Sequence, residues 1–246
     1  NVAFVEMPVA WDAVVLVANR NDGWLRDINL AELRLIWGPE SNGKKLAWNQ
    51  IRAAYPATPV ALFGLDQKSG TFDFFSTVIS GSPKVMRSDF QDATEHAAVI
   101  DRVSKTPGAI GFVSMAAYAE NASKVAALAV DEGGGPVIPS SQSVISGQYG
   151  KLARLTFLYV NKAAYDGRPQ VRDFANFVIE GAGRFASYAR FVPLTDEQRK
   201  RFEASRDRLI GLCVREAGKT LADAIAEVRE AVDFCRYYAH LAESQF

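Results

Sequence analysis

The run AVVLVAN, residues 13–19, is apolar and largely β-branched, with no polar interruption until its closing Asn19. A strand with one solvated face alternates apolar and polar residues, so an unbroken run of this kind belongs to a strand buried on both sides. Covering both faces of a sheet takes helices, and the sequence that follows supplies them. NLAELRLIWG, 29–38, carries Leu30, Leu33 and Trp37 at helical spacing, with Asn29 as N-cap and Gly38 as stop. PVALFG, 59–64, reads as a second buried strand, and SGTFDFFSTVIS opens a helix at Ser69. Strand, tight turn, helix is the order of an α/β unit.

The next segment reverses that order: a helix to Ser104, a Thr-Pro-Gly turn, then the apolar strand AIGFV. KVAALAV, 124–130, predicts one further strand, and DEGGGPVIPSSQSV after it is the most loop-like stretch of the chain. ARLTFLYVN, 153–161, predicts a long strand. PQVRDFANFVIEG, 169–181, predicts a helix with Phe174, Phe177 and Val178 on one apolar face, stopped by Gly181. Beyond Leu194 no strand-like run occurs. The last stretch is dense in charge and helix formers, and Leu221, Ile225, Val228, Val232 and Cys235 form a helical apolar stripe.

Function classes narrow on charge and composition. The 246 residues hold 28 Lys plus Arg and 28 Asp plus Glu, so no net field draws the chain to nucleic acid or to a membrane surface. No run approaches the ~18 apolar residues of a membrane span. His96 and His240 are the only histidines, and Cys213 and Cys235 the only cysteines, so a metal site is not expected. Cys235 sits on the apolar stripe, where a cysteine is a small hydrophobe, and neither cysteine has the neighbours that activate a thiolate. The chain opens without Met or a basic leader, which reads as a start inside a domain: an exported protein with its leader removed, or a fragment.

The Ser69-Gly70-Thr71 tripeptide stands where the second strand turns into its helix. A helix N-terminus carries unpaired N–H groups and about half a positive charge. Two hydroxyls and a glycine that admits close backbone approach would suit an oxyanion there. The plainer reading makes Ser69 an N-cap and nothing more. Lys68 could add charge or simply be solvated, and Asp73 complements the helix dipole.

In order along the chain, PVAWDAVVLVAN, LAELRLIWGP, AWNQIRAAYPATPVALFG, SGTFDFF, KTPGAIGFVSMAAYAEN, GPVIPSSQSVISGQYGKLARLTFLYVN and VRDFANFVIEGAGRFASYARFVPL resemble the substrate-binding proteins of phosphate ABC transporters. The resemblance implies a type II periplasmic-binding-protein-like α/β fold, with two lobes closing on inorganic phosphate for delivery to an ABC permease. It also implies a periplasmic or extracellular location, no enzymatic activity and no cofactor. Carried over by motif, Ser69 and Thr71 would donate through hydroxyl and backbone N–H, Gly70 through its backbone, and Lys68 would stand beside them. Many members place an Arg four residues before the Ser, where this chain has Leu65. Members also carry roughly the first third of their fold ahead of the segment PVAWD. The expected organisation is a middle lobe at 1–115 with the anion corner, the C-terminal part of the other lobe at 116–207, and a helical tail at 208–246.

Within that tail, LIGLCVREAGKTLADAIAEVREAVDFCRYYA, 209–239, resembles a helical segment of the pyrroline-carboxylate dehydrogenase half of proline-utilisation proteins. It brings no cofactor-binding element. The alternatives to a binding protein are therefore a dehydrogenase-related fragment or a helical interaction module, with self-association through the C-terminal helix.

Overall fold

A computed structural model describes residues 4–202. The tail assigned to 208–246, with its apolar stripe and both cysteines, lies outside the described residues. Strands are β1 (Phe4–Asn19), β2 (Asp27–Asn29), β3 (Ala61–Leu65), β4 (Gln91–Ala93), β5 (Ala109–Ser114), β6 (Val125–Ala127), β7 (Ala129–Asp131), β8 (Pro136–Val137), β9 (Ala153–Asn161) and β10 (Val192–Pro193). Helices are α1 (Leu30–Trp37), α2 (Trp48–Ile51), α3 (Gly70–Ser80), α4 (His96–Lys105), α5 (Met115–Asn121), α6 (Ser141–Ile145), α7 (Lys162–Gly167), α8 (Pro169–Glu180) and α9 (Ala182–Tyr188). The described residues divide into two compact units, one of Trp11–Arg154 with Ser187–Val192, the other of 4–10, Leu155–Ala186 and 193–202.

The larger unit is built on a sheet in which β1, β5, β3 and β4 lie side by side in that order, with β6 also paired to β1. β3 runs parallel to both β4 and β5, as crossovers through α3 and α4 require. β1 runs antiparallel to β5. Val14 to Ala18 have no accessible surface, so the unbroken apolar run is enclosed on both faces as its composition demands. Helices cover it with aromatic side chains. Phe75 stacks on Phe112 at 4.5 Å, and Trp37 meets both rings edge-on. Each such pair adds about 0.5–1.5 kcal/mol beyond its buried area.

Capping follows the sequence closely. Asn29 and Glu32 form a reciprocal capping box on α1, and Gly38 ends it. The Thr-Pro-Gly turn before β5 is held from three sides. Asn19 Nδ2 donates to the carbonyls of Val103, Ser104 and Thr106, Asp22 accepts from the Gly108 N–H, and Trp48 Nε1 donates to the Gly108 carbonyl. Gly108 has φ +71, and a Cβ there would lie 2.7 Å from Thr58 Cγ2, so the position takes only glycine without strain.

Two expectations change. KVAALAV is two strands: β6 pairs antiparallel with β1, and β7 pairs parallel with β2 in a separate sheet completed by β8. Leu128 between them sends its N–H to the carbonyl of Leu16, and the chain passes from one sheet to the other there. The boundary expected after residue 115 falls inside the larger unit, which continues to Arg154. Tyr149 is fully buried and its hydroxyl donates to the Val14 carbonyl at 2.7 Å, while the Val14 N–H reaches the Leu152 carbonyl at 2.8 Å. Those bonds satisfy backbone groups of the central strand, so 116–154 cannot be detached from it without leaving them orphaned.

In the smaller unit the Tyr159 ring meets both Phe4 and Phe157, and Phe177 meets Phe185. α8 forms where expected, but Phe174 and Phe177 are 63 % and 55 % exposed. Two of the three residues expected on its apolar face are thus mostly exposed, and Ala175 is the buried residue of the helix.

Candidate oxyanion site

The site is assembled where three strands end. β3, β4 and β5 are parallel, so their C-terminal ends share one edge of the sheet, and each leads into a helix, α3, α4 and α5 respectively. The first turns of those helices bring unpaired N–H groups and positive dipole ends to that edge. Open α/β sheets take their ligands there. Because β1 runs against β5 with Val14 opposite Ser114, Asp12 lies just past the end of β5 at the same edge.

Ser69 is extended, with φ −81 and ψ 130, and its Oγ accepts from the Thr71 N–H at 3.2 Å, so it caps α3. Gly70 is exposed, whereas Thr71 is only 7 % exposed. The corner is therefore less open than its sequence suggests, because Thr71 begins the core stripe of α3 that continues through Phe72, Phe75, Ser76 and Ile79. Lys68 is exposed, and its backbone N–H donates to Asp66 Oδ1 at 2.9 Å. Asp73 stands in the first turn as expected, with a buried Oδ1 that has no hydrogen-bond partner among the described residues.

The fixed charge that the tripeptide lacks comes from Arg154, at the start of β9. Its Nη1 donates to the Gly70 carbonyl at 3.1 Å, its Nη2 lies 3.3 Å from Asp12 Oδ2, and its guanidinium carbon sits 4.9 Å over the Phe74 ring. A Cβ built on Gly70 would meet Nη2 at 3.6 Å, so the guanidinium flanks the helix start directly. Asp12 is 8 % exposed. Burial holds its carboxyl above the usual 3.8, against the pull of Arg154. His96, first residue of α4, accepts the Ser114 N–H at Nδ1, 3.3 Å away, and burial holds it below the usual 6.5. Among the described residues no group of His, Cys, Asp and Glu could hold a metal ion, and no helix is long and apolar enough to cross a membrane.

Sequence reasoning found the tripeptide and missed Arg154 and Asp12, which are 142 positions apart. No spacing rule links them. The available signal was the single charge inside the apolar run PVAWDAVVLVAN, since a charge in a buried strand must find a partner; Arg154, on the partly exposed β9, carried no such signal.

Comparison with known proteins agrees with this architecture. The PBP superfamily domain matches residues 2–181. Protein SphX from Synechocystis is 32 % identical over 196 residues, covering 80 % of this chain and 58 % of its own length. The phosphate-binding protein PstS of Staphylococcus saprophyticus is 24 % identical over 211 residues, covering 85 % of this chain and 64 % of its own. The chain thus spans less than two thirds of these relatives. The crystal structure of a possible phosphate binding protein from Planctomyces limnophilus superposes with a TM-score of 0.72 at 30 % identity, over 91 % of this chain and 74 % of that one. The fold is accordingly of the type II periplasmic-binding-protein-like α/β class.

Proposed function

We propose, from the premise that this chain belongs to the PBP superfamily, that it is a solute-binding protein, not an enzyme, and that it captures inorganic phosphate for delivery to an ABC transporter. The observation that carries the reading is the start of α3: a capped, glycine-opened helix N-terminus at the C-terminal edge of a parallel sheet, with the Arg154 guanidinium beside Gly70. In this reading the Gly70 backbone N–H, the Ser69 hydroxyl proton and Arg154 are the donors offered to the oxyanion, the Thr71 N–H would be shared between the Ser69 cap and the anion, and a guanidinium matches the spacing of two phosphate oxygens. The motif would give the Thr71 hydroxyl the same role. Lys68, exposed at the rim, would act as a point charge that draws the anion in. The printed names of the Staphylococcus and Planctomyces proteins favour phosphate as the anion. We place the work in the periplasm or outside the cell, where such receptors meet their solute.

Calorimetric titration with inorganic phosphate, with sulfate as control, tests the reading. Wild-type protein is expected to bind phosphate selectively, and at a hundred times Kd to gain about 2.7 kcal/mol of stability. The Ser69→Ala/Thr71→Ala variant is expected to lose both effects. Equal binding by the two proteins would remove the corner from the site.

A further inference from the structure

The Arg154 guanidinium is not held by Asp12 alone. The Gly70 carbonyl takes Nη1 at 3.1 Å and the Phe74 ring covers its face at 4.9 Å, while the Asp12 carboxylate takes the Nη2 edge at 3.3 Å. Carbonyl and ring fix the position of the group without changing its charge. The carboxylate, nine-tenths buried on β1, neutralises it.

We infer that Asp12 is the internal counter-anion of the oxyanion site: its carboxylate competes with a bound anion for the Arg154 guanidinium and thereby limits affinity. The inference rests on the phosphate reading and goes beyond it, because it makes Asp12 the residue that sets how strongly, and at which pH, the site holds its ligand. Two negative groups facing one guanidinium repel each other. A bound anion therefore favours the protonated form of Asp12. By linkage, affinity rises as Asp12 takes up its proton.

Burial already holds the Asp12 carboxyl above its usual value, so this uptake begins above pH 3.8. The charged groups that face Asp12 are Arg154 from β9 and His96 from α4, and Glu95 acts in turn on His96. His96 also charges as pH falls, in the same direction for anion binding, and has to be held constant in the comparison.

Asp12→Asn separates charge from position, since the amide keeps an oxygen to accept from Nη2. In a His96→Asn background at low ionic strength, calorimetric titration with inorganic phosphate is expected to show roughly tenfold tighter binding by Asp12→Asn at neutral pH. The gap between the two proteins should close on acidification, and phosphate's own titration cancels in that difference. Unchanged or weaker binding by Asp12→Asn, with wild type binding normally, overturns the inference and leaves the phosphate reading standing. No phosphate binding by wild type overturns both.

A second measurement uses the His96→Asn protein with Asp12 intact. Its titrations in buffers of different ionisation enthalpy, in acid solution where phosphate stays the monoanion, should show net proton uptake on binding. Zero uptake also overturns the inference.

Discussion

Arg87 shows how a single buried charge is accommodated in this chain. Its side chain is 5 % exposed, and it donates to Asp89 through Nε at 2.6 Å and Nη2 at 2.8 Å, to the Ile36 carbonyl at 3.0 Å and to the Lys44 carbonyl at 3.1 Å. Arg87 holds the Asp89 carboxyl down at about 2, from a usual 3.8. A carboxyl depressed in the fold contributes stability that is present in full above pH 3.8 and is lost as pH falls through about 2. Asp89→Asn is expected to cost about 1–3 kcal/mol at neutral pH, because Arg87 stays buried while its counter-charge is gone. The figure sits at the low end for a buried pair because Asp89 is 35 % exposed. Urea unfolding at pH 7 and pH 2.5 checks both parts, since the difference between the two proteins should shrink in acid. Asp12 has the opposite sign: its carboxyl is raised, so its contribution is greatest below pH 3.8 and is lost as pH rises through its folded value.

At the scale of the element, α3 does two things with one residue. Ser69 caps the helix through the Thr71 N–H, and the same hydroxyl and N–H groups are the proposed anion donors. Substitution separates the roles. Ser69→Ala is expected to lose about 1 kcal/mol of stability with the cap, whereas Ser69→Asp caps as well as serine and keeps it. The aspartate also sets a negative charge where the anion would sit, so Ser69→Asp is expected to fold like wild type and to bind no phosphate. Thermal unfolding together with calorimetric titration checks this; phosphate binding by Ser69→Asp at wild-type strength would place the site elsewhere. α8 teaches a different lesson about elements. Its periodicity specifies an amphipathic helix correctly, yet Phe174 and Phe177 remain mostly exposed, because a hydrophobic stripe says that a face is apolar and not what lies against it.

At the scale of the whole molecule, the two units should differ in local stability. The larger has a continuous buried core from Val14 on β1 through Phe112 on β5 to Tyr149, while among the described helical residues of the smaller unit burial is confined to Ala175, Ala182 and Ala186. Native-state hydrogen exchange is expected to find the slowest amides in β1 residues 13–18 and in β5, with those of α8 exchanging at least tenfold faster. Uniform protection across both units would contradict this. The sequence by itself determined the elements. Unbroken apolar runs, helical stripes, the caps Asn29 and Ser69 and the Thr-Pro-Gly turn are local devices, each readable from a few neighbouring residues, and the ordered motifs pointed to the family. Tertiary structure decided three things. KVAALAV divided because its two halves pair with different sheets, and 116–154 joined the larger unit through Tyr149 and Leu152. Asp12 and Arg154, 142 positions apart, met at Gly70. The physical reason is common to all three: strand pairing and ion pairing act between residues brought together by crossover connections, and no local pattern along the chain records which distant partner will satisfy a buried strand or a buried charge.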